Sequence, residues 1–218
     1  MDTTSSDRSR WVCLDVGETL IDETRIWSTW ADELRIPRLT FLAALGAVIE
    51  RGEEYRDVFP VFGVDDWQLR LAAVEAVYGG FQQHDLYPDV LRAIEGLRAA
   101  GYRIAIVANQ PAARADELRA IGIDAEVMAM SETMAVSKPA AAFFDRALEL
   151  MGSPHPGDVA YVGDRIDNDV RPASAAGMRA VWIRRGPWGV IQHVGDGPQP
   201  ALTIDSLDEL LERIDDAW

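Results

Sequence analysis

The sequence predicts an α/β fold: a doubly wound parallel sheet interrupted near its start by an all-helical insertion. Three observations predict it. From Pro88 onward, short apolar β-favouring runs alternate strictly with amphipathic helical segments. That pattern belongs to a parallel sheet covered on both faces. Between residues 23 and 78 the alternation stops, and apolar residues recur only at helical spacing. Before that insertion, Trp11-Val12-Cys13-Leu14 is an apolar run that ends abruptly at Asp15. Open α/β sheets present their reactive groups at such carboxyl ends of strands.

Each element follows in order. Residues 1–10 are polar and carry no apolar leader, so a frayed N-terminus is expected there. Residues 11–22, WVCLDVGETLID, supply the first strand and its loop. Residues 23–84 form the helical insertion. Its stripes are Trp27, Trp30 and Leu34, then Phe41, Leu42, Leu45 and Val48, then Trp67, Leu69, Leu71, Val74 and Val77. These stripes read as the insertion's own core. Pro37, Gly52, Pro60 and Gly63 punctuate them, and Gly79-Gly80 reads as a flexible return. The α/β core then resumes over 85–218. PDVLRAIEGLRAA (88–100) is a helix with Pro at its start and Gly101 at its end. Strands are expected at Arg103 to Ala108, Ala125 to Met130, Val159 to Val162, Ala180 to Ile183 and Thr203-Ile204. Helices are expected at 111–121, Pro139 to Met151, 168–176 and 206–216. Residues 185–200, rich in Gly and Pro, read as an irregular loop.

Composition narrows the partners. The chain has 218 residues and 48% hydrophobic content, enough for one large core or one core with an insertion. Asp+Glu outnumber Lys+Arg by 36 to 21, a formal charge of −15, which excludes nucleic acid and anionic membranes as partners needing a basic face. Cys13 is the single cysteine and reads as a small core residue, so no internal disulfide is available. No run approaches the roughly 18 apolar residues of a membrane span. Together these features describe a soluble, cytoplasmic protein of undetermined oligomeric state.

The strand ends carry the chemistry. One ends in Asp15, the next in Ala108-Asn109-Gln110, and a later one in Gly163-Asp164 with Asp167, Asn168 and Asp169 behind it. Lys138 precedes a helix within SETMAVSKP. A lone Asp after a strand is equally well a turn cap. Several carboxylates converging on one crevice are tolerated when a divalent cation neutralises them, and oxygen ligands of this kind suit Mg²⁺. A lysine beside them balances charge and can stabilise a transferring phosphoryl group.

The set LDVGETL, VANQ, SKP and VGDRIDND, in that order and with a helical insert after the first, resembles the haloacid dehalogenase superfamily over residues 11 to 185. The resemblance implies a Rossmann-like core with a helical cap. It implies a Mg²⁺-dependent phosphatase acting on a small phosphorylated metabolite through a phospho-enzyme. It assigns Asp15 as nucleophile and metal ligand, and Lys138 as the lysine steadying nucleophile and phosphoryl group. It assigns Asp164 to the metal site, Asp169 to its support, and Thr19 to closure of the first loop. The residue at Gly17 serves the ion through its backbone carbonyl.

Two departures set this chain apart. The family's phosphatases read D-x-D-G-T, whereas this chain reads Asp15-Val16-Gly17-Glu18-Thr19. The second aspartate, which protonates the leaving group, is Gly17. The second motif's Ser or Thr, which binds a phosphoryl oxygen, is Ala108, with Asn109 next, and the resemblance implies that Thr19, Ala108 and Asn109 contact the substrate's phosphoryl group. A positioned acid/base is worth about 10²- to 10⁴-fold, and the hydroxyl about 1.5 to 3 kcal/mol. Glu18 is the adjacent carboxylate that could substitute, or it could simply face solvent. An alternative is therefore a degenerate member that binds a phosphorylated ligand or protein without turnover. A metal-independent 2-haloacid dehalogenase is a further alternative, opposed by the retained Gly163-Asp164 and by Ile166 where those relatives have asparagine. Arg25, Trp27 and Arg165 are candidate substrate contacts, and His84, His155 and His193 read as loop residues.

Overall fold

The computed structural model describes residues 10–218. Apart from Arg10, the expected frayed N-terminus lies outside the described residues. A six-stranded sheet in the order β3-β2-β1-β4-β5-β6 forms the centre, all strands parallel. Its strands are β1 (Trp11–Leu14), β2 (Arg103–Ala108), β3 (Val127–Met130), β4 (Val159–Gly163), β5 (Arg179–Ile183) and β6 (Leu202–Ile204). The chain leaves β1 toward β2 and β3, then returns to the other side of β1 with β4. The strand order therefore reverses between β1 and β4, where open α/β sheets bind their ligands.

Side chains alternate across the sheet with period two. Val12, Leu14, Ile104, Ile106, Ala160 and Val162 point to one face. They pack on α5 (Val90–Ala99), α6 (Arg114–Ala120) and α11 (Leu207–Arg213). Trp11, Cys13, Ala105, Val107, Val159 and Tyr161 point to the other, beneath α8 (Ala141–Leu150) and α9 (Arg171–Ala175). Cys13 is fully buried there, and burial pushes its thiol well up. The expected doubly wound core is present.

Between β1 and α5 lie four helices: α1 (Thr24–Glu33), α2 (Arg38–Glu50), α3 (Val58–Val61) and α4 (Leu71–Tyr78). Trp27, Trp30, Phe41, Leu45, Val48, Phe59 and Val74 form a core among them. The third stripe departs from expectation. Leu69 is 81% exposed and Val77 75%, because a 3₁₀ turn at Trp67–Arg70 precedes α4 and restarts the helical phase. Only Val74 and Tyr78, four residues apart, face inward from α4.

The return through Gly79-Gly80 is not left free. Arg25 donates from Nη2 to the Gly80 carbonyl at 2.6 Å, from Nη1 to the Tyr78 carbonyl, and from Nε to Asp85 Oδ1 at 2.8 Å. Arg25, a candidate substrate contact by sequence, is thus engaged in holding the return segment.

A second correction concerns residues 185–200. Gly186–Ile191 form a helix, α10, with Pro187 in its first turn. Gly186 opens it at φ +65°, and at Gly189 an added Cβ would stand 2.8 Å from the Ile183 carbonyl. The glycines that read as breakers are close-packing positions. Trp188 and Ile191 of α10 join the aromatic core of the four-helix block, tying it to the sheet. The helix expected at 168–176 begins as a π-helical turn at Ile166–Val170. Between β3 and α8 lies the short α7 (Ser131–Met134). Among the described residues, no helix is long and apolar enough to cross a membrane.

Candidate active site

Asp15 leaves β1 still paired to its neighbour, its amide donating to the Val162 carbonyl at 2.9 Å. Gly163 and Asp164 leave β4 alongside it. The π-helical turn then folds Asp169 back, and its Oδ2 accepts from the Arg165 amide at 3.0 Å. Lys138 reaches between them, with Nζ 2.8 Å from Asp15 Oδ1 and 2.6 Å from Asp169 Oδ1. Carboxylate oxygens of Asp15, Asp164 and Asp169 lie within 4.8 Å of one another. All four side chains are buried.

The electrostatics follow from that crowding. Burial works against the Lys138 ammonium, but Asp15 and Asp169 outweigh it and hold its pKa above the ordinary value. Burial pushes Asp15 up to about 6, against Lys138 and with Asp169. Asp164 is driven well up, by burial first and then by Asp169 and Asp15. Its Oδ2 is buried without a hydrogen-bond partner. One ammonium faces three carboxylates, and one oxygen of the set is orphaned. An oxygen-liganded divalent cation fits this donor set, satisfying the orphan and the excess charge together.

The structure thus brings Asp15, Lys138, Asp164 and Asp169 into one cluster. Asn109 holds a different place. Its Oδ1 accepts from the Lys138 amide at 2.8 Å and its Nδ2 donates to the Lys138 carbonyl at 3.0 Å, so it fixes the lysine's backbone. Ala108 is fully buried at the end of β2, and its carbonyl accepts from the Gln110 amide at 3.0 Å. Thr19 is fully buried, with Oγ1 unpartnered. Arg165 pairs with Asp167, Nη2 to Oδ2 at 2.7 Å, and its guanidinium lies over the Trp188 ring.

Glu18 does not face solvent. It is 4% exposed and occupies the left-handed region at φ +53°, a conformation costly for a residue with a Cβ. Tyr87 donates its hydroxyl to Glu18 Oε2, and the Glu23 amide donates to Oε1 at 3.2 Å. Burial raises Glu18 to about 8, with Glu23 adding to it and Tyr87 opposing. The carboxylate lies against Gly186, where an added Cβ would be 2.6 Å from Glu18 Cδ.

Sequence reasoning missed Glu23. The loop after Asp15 doubles back, with Leu20 and Ile21 amides donating to the Val16 carbonyl and the Glu18 amide to the Ile21 carbonyl. This returns the start of α1 to the site. Glu23 is partly buried, and its Oε2 accepts from Trp27 Nε1 at 3.3 Å. Burial, then the Asp15 carboxylate, raise it to about 7, with Trp27 and Arg165 opposing. Nothing in local spacing reveals this, because the contact depends on the loop's reversal.

Comparison with known proteins agrees with this architecture. The chain is 29% identical over 228 residues to a glyceraldehyde 3-phosphate phosphatase of Methanopyrus kandleri, covering 93% of this chain and 96% of the relative. It is 31% identical over 169 residues to a phosphoserine phosphatase of Thermus thermophilus, covering 76% and 66%. The magnesium-bound putative hydrolase YfnB of Bacillus subtilis shares the fold at TM-score 0.69 and 19% identity, over 95% of this chain and 99% of that one. Residues 10–177 match the family described as haloacid dehalogenase-like hydrolase. With its sheet order, its buried aspartate–lysine cluster and that match in agreement, the chain belongs to the haloacid dehalogenase-like hydrolases.

Proposed function

We propose that this protein is a Mg²⁺-dependent phosphatase of a small phosphorylated metabolite, working through a phospho-enzyme on Asp15. The observation that carries the reading is the buried cluster in which Lys138 bridges Asp15 and Asp169 while Asp164 Oδ2 stands unpartnered. Relatives named for phosphate esters of small metabolites support it.

Asp15 attacks phosphorus with a carboxylate oxygen, and the bond from phosphorus to the leaving oxygen breaks as the new one forms. Water then attacks phosphorus, the bond to Asp15 breaks, and inorganic phosphate leaves. Lys138 orients Asp15 and places positive charge beside the phosphoryl oxygens. Asp15, Asp164 and the Gly17 carbonyl would hold Mg²⁺, with Asp169 supporting its water shell. The ion supplies charge neutralisation to the phosphoryl group. The helices over 23–84 act as a cap above this site, and the thiol of Cys13 suits a cytoplasmic setting.

Phosphate release from p-nitrophenyl phosphate, glyceraldehyde 3-phosphate and phosphoserine tests the reading, with and without Mg²⁺. Release is expected with Mg²⁺ and lost in Asp15→Asn. Binding of these esters without any release, even from the activated aryl ester, would replace the enzyme by a ligand-binding protein.

A further inference from the structure

Gly17 leaves a gap where the pattern D-x-D-G-T has its second carboxylate, and the structure fills that gap from elsewhere. A Cβ built on Gly17 lands on Glu23 Oε1 and lies 2.9 Å from Glu23 Cδ. The Glu23 carboxyl group thus occupies the space in which a side chain at position 17 would begin, two residues beyond Asp15. It is held there from two directions. The loop's reversal places its backbone, whose amide is anchored on Glu18 Oε1 at 3.2 Å. Trp27 Nε1 holds Oε2.

We propose that Glu23 is the proton-transfer group of this site, delivered from the first residues of the helical block in place of the missing carboxylate at Gly17. Glu18, the nearer candidate in sequence, is engaged by Tyr87 and pressed against Gly186. The assignment rests on the phosphatase reading above. As Asp15 attacks phosphorus and the bond to the leaving oxygen breaks, protonated Glu23 gives its proton to that oxygen, yielding an alcohol and the Glu23 carboxylate. The carboxylate then takes a proton from the water that attacks the aspartyl phosphate. The bond from Asp15 to phosphorus breaks, phosphate leaves, and Glu23 is protonated again. The sum is ester plus water giving alcohol plus phosphate. Glu23 and Asp15 flank the two ends of the folded-back loop that joins β1 to α1, so the placement of α1 is part of the catalytic arrangement.

The test is leaving-group dependence. kcat/KM with Mg²⁺ is measured on p-nitrophenyl phosphate, which needs no acid, and on phenyl and alkyl phosphates, which do. Glu23→Gln is expected to lose about 10²-fold or more on alkyl phosphates, with less than about tenfold lost on p-nitrophenyl phosphate, since that leaving group departs as a stable anion. Gly17→Asp alone is expected to be impaired, because its new side chain meets Glu23. Gly17→Asp combined with Glu23→Ala is expected to recover alkyl phosphate turnover relative to Glu23→Ala. Equal loss on every substrate, no loss on any, or a double variant no better than Glu23→Ala overturns the assignment. So does a selective loss in Glu18→Gln instead of Glu23→Gln. A wild type that releases no phosphate even from p-nitrophenyl phosphate, or an Asp15→Asn variant as active as wild type, overturns the phosphatase reading itself.

Discussion

Gly163 and Asp169 are packed so closely that any side chain at position 163 must displace Asp169. A Cβ added to Gly163 would stand on the Asp169 carboxyl group and 2.6 Å from Asp169 Cβ. That carboxylate simultaneously holds Lys138 and the Arg165 amide. Gly163→Ala therefore pushes Asp169 away from the lysine it orients. Misplacement on the scale of 1 Å costs about 10²-fold in rate, and overpacking costs about 1 to 3 kcal/mol of stability. Phosphatase assays and urea unfolding of Gly163→Ala check both. Wild-type turnover would show that Asp169 need not be held against Lys138.

Asn109 bonds both sides of the Lys138 backbone. Asn109→Ala removes that brace while leaving the ammonium and its two carboxylates chemically intact. Losing the bonds and stranding partly buried backbone groups costs about 1 to 3 kcal/mol. If Asn109 acts by positioning, kcat falls while KM for the phosphate ester changes little. A variant in which KM rises and kcat is unchanged would return Asn109 to the role of a phosphate contact.

These two residues show what the sequence made legible. The strand ends did the most: Arg103 to Ala108 matches β2 to the residue, because its apolar run is bounded by Gly101 and Asn109. Of the four residues brought together, Asp15 and Asp164 follow apolar strand runs, whereas Lys138 stands before a helix and Asp169 in the acidic turn after β4. What escaped depends on contacts between distant segments. Gly17 and Glu23 meet only because residues 16–21 reverse. The α10 helix was hidden because Gly186 and Gly189 read as loop formers, whereas each is needed for close approach, to Glu18 and to the Ile183 carbonyl. Leu69 and Val77 belonged to a stripe only if one helix ran unbroken through Arg70, and tertiary packing breaks it there.

Arg25 and Asp85 join the two connections between the helical block and the sheet, and the pair sets a pH dependence. Asp85 is nearly inaccessible, its side chain 2% exposed. Burial alone would raise it, but Arg25 and the Gln82 amide outweigh burial and hold its pKa below the ordinary value. The contribution is therefore complete above the unfolded pKa of about 3.9, and it is lost as pH falls through the lower folded value. Arg25→Ala strands a buried carboxylate and is expected to cost about 3 kcal/mol at neutral pH. Asp85→Asn should be destabilised at pH 7, with its gap to wild type narrowing below about pH 4. Urea midpoints across that range read the gap, and a gap constant with pH would remove the ion pair as its cause.

Asp164 gives the most direct test for a cation, because its carboxylate is buried beside two others and one oxygen has no partner. Without a divalent ion this group weakens the fold. Its pKa is raised by burial and by Asp169 and Asp15, so stability declines as rising pH forces the charge on. Asp164→Asn removes that charge, and in chelator at pH 8 the variant should melt above wild type. Adding Mg²⁺ should reverse the order. At a hundredfold excess over Kd, binding to the folded state stabilises wild type by about 2.7 kcal/mol. For a chain of this size that is a Tm rise of about 5 to 10 °C. Asp164→Asn should show little of this rise, and chelator should abolish it in wild type. Equal Mg²⁺ shifts in the two proteins would place the ion away from Asp164. No shift in either would leave the orphaned oxygen without the ligand that the cluster's charge calls for.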